Sequence, residues 1–397
     1  MATESQFPRD AQSSGRRFAV GVGLFYATTL GIIGVYLPFF PVWLKAIGIE
    51  AGWIGIITAL PSLSRFTVLP FITALAERLQ MLRGAIVALA IATVAGFSIV
   101  GQLRDPFAIV IVFAVTACVW TPLGPMTDGF TLKGVTRYGL NYGPLRLWGS
   151  AAFVVVAMIS GLLADAIAAP HLIWVIVGVT ALSALASLGL QPLDAPPAGS
   201  GTPLIPAKAL LRQPAFLAII ATAALVQGSH AAYYSFASIT WQDAGLDGTT
   251  IAVLWSLGVI AEIVIFALSP RFQWSPVILV MTGAAGAALR WIITAQEPPI
   301  GVLAVVQLMH GLSYGMTHLG TVGLMVRTVP HHVLASAQGY LVACIGVVTS
   351  VTMMLSGLIY AQVGQGVYYV MAAMAVGGLL VIGSARRRLD ASHLAAG

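Results

Sequence analysis

The chain has 397 residues, of which 58% are hydrophobic and only 8% are Asp, Glu, Lys or Arg, against about 25% for those charged types in a soluble domain. With a mean hydropathy of +0.93, apolar runs recur along the whole length, and a soluble fold exposing that much apolar surface would aggregate. The runs lack the period-two alternation of a membrane barrel, so the net charge of +6 reads as loop charge on a polytopic helical membrane protein, not as a nucleic-acid footprint.

The opening stretch, MATESQFPRDAQSSGRRFAV, is polar, with Arg16 and Arg17 just ahead of the first apolar run. That run is too long for a signal-peptide core and lacks a small-residue cleavage site, so it reads as a retained helix. A bilayer core takes about 20 mostly apolar residues per helix. On that measure twelve spans are predicted, at 18–44, 52–75, 83–101, 107–132, 146–168, 171–190, 214–240, 250–270, 275–295, 300–327, 334–362 and 366–385. The stretch QPLDAPPAGSGTPLIPAKALLRQP breaks the series with five prolines up to Pro206 and no periodicity, as a linker does. The predicted organisation is a tail (1–17), a six-helix bundle (18–190), a linker (191–213), a second six-helix bundle (214–386) and a tail (387–397). Cys118 and Cys344 both sit in apolar runs and offer no disulfide framework.

Loop charge sets the orientation. With the N-terminus inside, the inner loops and tails receive Arg9, Arg16, Arg17, Arg78, Arg83, Lys133, Arg137, Arg146, Lys208, Arg212, Arg271, Arg327, Arg386, Arg387 and Arg388, while the outer loops receive Lys45 and Arg104. Fifteen against two places both termini in the cytoplasm and requires an even number of spans. The halves also echo each other: SGLLAD (160–165) ends the fifth span and SGLIYA (356–361) ends the eleventh. A repeat at half the chain length implies two similar bundles.

Several stretches carry a more specific signal. The first span reads GVYLPFFPVWL (34–44), and the loop after the second reads LAERLQMLRG (75–84). The fifth opens YGPLRLWGSAAFV (142–154), and the eleventh reads ASAQGYLVACIG (335–346). Together they resemble the branch of the major facilitator superfamily that holds the lactose and phenylpropionate permeases, over nearly the whole chain. The resemblance implies an all-α fold of twelve transmembrane helices in two six-helix bundles, with a substrate site near the midplane between them. It also implies a monomeric proton symporter in the cell (inner) membrane, moving a small molecule by alternating access. No cofactor or metal is implied.

A charge within a span costs about 2.5–3.5 kcal/mol on insertion scales and is a functional candidate by default. Five residues qualify: Arg65, Asp128, Arg146, Glu262 and Arg290; His230, His310 and His318 join them. Asp128, in WTPLGPMTDGFTL (120–132), and Arg146 lie eighteen residues apart around an inner loop, and an antiparallel pair brings them to similar depth. Pro122 and Pro125 predict a kink beside them. The resemblance assigns this acid and arginine to substrate; a packing or gate pair is the alternative. Glu262, Arg290 and His310 match three helices where the lactose permease places an acid, an arginine and a histidine for coupling and binding. A carboxyl group beside an arginine holds its proton weakly, and one buried away from it holds it firmly. A group alternating between the two can load and release a proton, and histidine titrates near neutrality. A structural salt bridge between Glu262 and Arg290 is the plainer alternative.

The chain departs from the sugar permease in three places. Ser313 stands where that permease has the glutamate carrying its proton, so Glu262 is the expected coupling acid, with His310 or His318 as relay. Phe153 replaces a sugar-stacking tryptophan. Arg65 and His318 match the phenylpropionate type. Arg65, Arg146 and Arg290 outnumber Asp128 and Glu262, which suits an anionic substrate. Tyr26, Phe39, Gln227, Tyr233 and Tyr234 fall on the first and seventh helices, which line the cavity in this architecture. Glu77, Arg78 and Arg83 are expected to form a cytoplasmic gate lock, with Glu77 where the superfamily has Asp.

The expected function is proton-coupled uptake of a small, favourably aromatic, carboxylate. Sugar or nucleoside symport, proton-driven efflux and a non-transporting sensor remain as alternatives. Efflux is disfavoured because SAAFVVVAMISG (150–161) lacks the glycine-proline pairs of antiporters. An enzyme is not indicated: no HExxH, GxSxG, Walker sequence or Cys/His metal spacing occurs.

Overall fold

The computed structural model describes residues 9–79, 81–193, 208–330 and 333–391. Within them the chain runs through sixteen α-helices and no strand. The first eight are α1 (Arg9–Ala46), α2 (Ala51–Thr67), α3 (Leu69–Arg78), α4 (Leu82–Val100), α5 (Pro106–Trp120), α6 (Leu123–Tyr138), α7 (Tyr142–Ala166) and α8 (Leu172–Leu188). The second eight are α9 (Pro214–Gly228), α10 (Ala231–Asp243), α11 (Gly248–Leu268), α12 (Pro276–Thr294), α13 (Ile300–Leu308), α14 (Thr317–Thr328), α15 (Leu334–Val363) and α16 (Val367–Ala391).

They form twelve spans among the described residues. Four spans are broken: α2 with α3, α5 with α6, α9 with α10, and α13 with α14. The α2–α3 pair bends by 47°, where Pro70 withholds an N–H from the carbonyl of Phe66. The α5–α6 break falls at Thr121–Pro122, as the two prolines predict. The α9–α10 break at Ser229 and His230 has no proline to announce it. Between α13 and α14 the chain makes a π-helical turn, Gly311–Met316, a device that often marks functional sites. Gly311 permits it, since a Cβ there would stand 2.8 Å from the carbonyl oxygen of Ala261. At the N-terminus α1 begins at Arg9, so its helix runs on past the apolar boundary expected at residue 18. Much of the 191–213 linker lies outside the described residues.

In the first bundle α1 packs on α7, α8 and α6, and α4 on α5 and α8. In the second, α9 packs on α15 and α16, and α12 on α14 and α16. The bundles meet where α2 crosses α15 and α7 crosses α11. The echoed SGL triplets mark these crossings. A Cβ on Gly161 would stand 2.6 Å from Gly248 O, and one on Gly357 would stand 2.5 Å from Ala51 O. Likewise Gly55 meets Met353 O at 2.5 Å. Only glycine allows backbones so close.

Polar links between the bundles cluster toward the face opposite the termini. Lys45 pairs with Asp243. Thr58 and Ser235 share a hydroxyl bond of 2.8 Å. Asp165, at the end of α7, accepts from the amides of Gly248 (2.5 Å) and Thr249 (3.0 Å) and from the Thr249 hydroxyl (2.6 Å). It thereby caps the positive end of α11 from across the interface.

Candidate functional site

Asp128 sits on α6, just past the proline break. Its Oδ1 accepts from the Tyr26 hydroxyl of α1 at 2.6 Å and from the Tyr142 hydroxyl of α7 at 2.8 Å. Arg146 Nε lies 4.0 Å from the same oxygen, and its guanidinium carbon stands 5.7 Å from the centre of the Tyr26 ring. Asp128 and Arg146 are 40% and 39% exposed although both lie within spans. Among the described residues, Asp128 Oδ2 takes no hydrogen bond. Arg146 belongs to the same bundle as Asp128, so the pair does not itself bridge the two halves.

The second cluster centres on Arg290 of α12, which is 0% exposed. Its cation lies 4.6 Å from the Tyr233 ring centre and 4.4 Å from that of Trp291, which offsets part of the cost of burying it. Nη2 donates to Gln307 Oε1 at 3.1 Å. Nη1 reaches Ser313 Oγ at 3.2 Å and His310 Nδ1 at 2.9 Å. Chemistry fixes every direction here. Arginine only donates, so His310 Nδ1 accepts, and in the neutral ring the proton sits on Nε2. That nitrogen faces Glu262 Oε2 at 3.7 Å. On the other side, His230 Nδ1 lies 3.0 Å from the carbonyl of Val226 and must donate to it. Neutral His230 then accepts at Nε2 from the Ser313 hydroxyl, 3.1 Å away. Two branches therefore run outward from Arg290, one through Ser313 and His230 to the carbonyl of Val226, the other through His310 to Glu262. No Glu262–Arg290 salt bridge forms, because His310 stands between them.

The remaining candidates are placed as follows. Arg65 is exposed near the end of α2 and, among the described residues, has no hydrogen bond or ion pair. Glu262 is within electrostatic reach of Arg146 from the other bundle. Among the described residues His318 forms no hydrogen bond; its ring stacks along Tyr314, centroids 6.2 Å apart at 7°, and meets the edge of Phe266. Phe153, Gln227 and Phe39 are buried and join neither polar cluster. Arg83 donates to the carbonyls of Leu190 (2.6 Å) and Leu188 (3.1 Å), closing the end of α8 within its own bundle, with exposed Arg78 nearby in sequence. The Glu77 side chain lies outside the described residues.

Three participants escape a reading of the sequence. Tyr142 sits in what resembles a polar loop, YGLNYG. Gln307 and Tyr314 fall just before and within the π turn, and only the polar letters in QLMHGLSYGMTH hint at them.

Two membrane bundles, with ionisable side chains of both facing the space between them, define a membrane transporter of the major facilitator class. The chain belongs to the MFS_1 like family, whose model matches residues 21–371. It is 31% identical over 362 residues to the probable 3-phenylpropionic acid transporter of Escherichia coli (strain K12), covering 89% of this chain and 94% of that protein. It is 25% identical to the maltose permease of Geobacillus stearothermophilus, over 79% of this chain and 80% of that one. Among solved structures it superposes on the nucleoside transporter NupG with a TM-score of 0.82 at 12% identity, covering 92% of this chain and 98% of that one. A bacterial homologue of the human lysosomal transporter Spinster, in an inward-facing and unoccupied conformation, gives 0.69 at 13% identity, covering 97% and 99%. These two likenesses show the fold alone.

Proposed function

We propose that the chain is a proton-coupled symporter carrying a small carboxylate, of the arylpropionate type, inward across the cell (inner) membrane as a monomer, with both termini cytoplasmic. The observation that carries the reading is the full-length likeness to a probable 3-phenylpropionic acid transporter, joined to an intramembrane set with three arginines against two acids. The bias of Arg and Lys toward the terminal face supports the orientation. Asp128 and Arg146 form the polar floor of the site on one bundle. Glu262 is the coupling acid on the other, and His310 presents it with an N–H. Arg290 fixes the tautomer of His310. The ties made by Lys45, Asp165 and Asp243 at the face opposite the termini support an alternating-access reading in which that face is closed and substrate exchanges at the terminal face. His318, stacked on Tyr314, would serve as a ring contact rather than as a relay.

A second reading, sugar symport, draws on the maltose permease likeness. One experiment separates them. Purified protein in sodium-free proteoliposomes is given an inward proton gradient and labelled 3-phenylpropionate or maltose. Accumulation of the acid that collapses with a protonophore is expected. Accumulation that survives the protonophore and follows sodium would sink the coupling claim, and uptake of maltose alone would reassign the substrate.

A further inference from the structure

The three intramembrane arginines differ in what they already hold. Arg290 is enclosed and spends its guanidinium on Gln307, Ser313 and His310. Arg146 faces Asp128, so an incoming anion there meets a carboxylate. Arg65 alone has no acceptor among the described residues. We propose that Arg65, together with the hydroxyls of Tyr36 and Tyr314, forms the subsite that takes the carboxylate of the transported acid; this rests on the transport reading above.

The placement is built from both bundles. Ser64, next to Arg65, bonds the Thr121 hydroxyl at 2.8 Å, which sets this turn of α2 against the end of α5. The Trp120 ring there meets Tyr36 edge-on, centroids 4.7 Å apart. Tyr36 is only 6% exposed, and among the described residues its buried hydroxyl has no hydrogen-bond partner. Buried hydroxyls are normally satisfied, so this one is a donor left open. Tyr314 comes from the second bundle. It lies fourteen residues along from Ile300, and Arg65 lies fourteen along from Ala51, both helices starting at the same face. At 1.5 Å per residue the two sit at matching depth. The Tyr314 hydroxyl has no bond among the described residues. Both phenols are within electrostatic reach of Arg65.

All three groups can donate, and the only charge among them is positive. A carboxylate is acceptor-only, with room for several donors on two oxygens, and the guanidinium fork matches its geometry. A neutral sugar or nucleoside offers no such complement. Because Tyr314 belongs to the opposite bundle, a carboxylate held by all three ties the bundles together through the ligand.

The test uses the purified full chain and two probes, 3-phenylpropionate and the neutral 3-phenylpropanol, with affinity read by calorimetry and ligand-induced thermal shift. Wild-type protein is expected to favour the acid. R65Q is expected to lower acid affinity to that of the alcohol, with R65K intermediate and alcohol binding unchanged. Y36F and Y314F should each weaken the acid about ten- to a hundredfold, as loss of one hydrogen bond to a charged group does. If R146Q rather than R65Q erases the preference, the carboxylate sits at Arg146 and the subsite is overturned while carboxylate transport stands. An R65Q that loses acid and alcohol alike, or binds acid as wild type does, also overturns it. Wild-type protein with no preference for the acid overturns both readings.

Discussion

Arg290 Nη1 stands 2.9 Å from His310 Nδ1, and this contact decides what the imidazole offers Glu262. With Nδ1 occupied as an acceptor, the ring turns an N–H toward Glu262 Oε2 at 3.7 Å. The acid is therefore addressed by a neutral donor, not by a permanent cation, and can change its charge without breaking an arginine pair.

It follows that Glu262→Gln should abolish uphill accumulation while leaving counterflow exchange of substrate intact. The measurement is paired: gradient-driven uptake and exchange from the same proteoliposomes. A variant that accumulates normally would remove Glu262 from the coupling role.

Exchanging Asp128 and Arg146 should not restore transport. The Asp128 carboxylate is seated by two phenols that donate to it, and an arginine placed there would require both hydroxyls to turn and accept. Each single variant, Asp128→Asn and Arg146→Gln, is expected to raise KM about tenfold or more, the scale of a lost hydrogen bond to a charged group. Recovery in the double variant would make the pair a packing latch without substrate contact.

Tyr142→Phe removes one of the two donors to Asp128 Oδ1 and keeps the ring. Its expected cost is about 1.5–3 kcal/mol in the affinity of the loaded site, read as a rise in KM with the unliganded melting temperature almost unmoved. A large fall in melting temperature with KM unchanged would instead make Tyr142 a structural pin.

Gly55→Leu places a side chain where α2 and the Met353 carbonyl of α15 all but touch. Overpacking of this kind costs about 1–3 kcal/mol, enough to slow closure of that face and cut turnover about tenfold. Ligand binding should survive. Labelling of a cysteine introduced near Thr58 should speed up, and unchanged labelling with full turnover would show that the crossing opens by another route.

The twelve spans were legible because bilayer thickness dictates apolar length, and the Asp128–Arg146 meeting because an antiparallel hairpin equates depth. The contacts of Arg290 were not legible. Which of Glu262, Gln307, His310 and Ser313 it touches depends on how α11, α12 and the π turn are rotated about their axes, and the turn's extra residue shifts a 3.6-residue register. It brings Tyr314 into stack with His310 and His318, so the two histidines are separated by a phenol ring. Arg83 illustrates a different limit. Loop charge sets topology, but the sequence does not say that this guanidinium closes the carbonyl end of α8.

The Lys45–Asp243 pair is solvent-exposed on one side of the membrane only, and exposed pairs contribute about 0.2–1 kcal/mol within a screening length of about 8 Å at physiological ionic strength. Asp165 is held more firmly, by two amides and a hydroxyl of α11. Salt on that side therefore acts on the first of these ties and much less on the second. How firmly that face stays closed is therefore tunable by the ionic strength of the one compartment it borders.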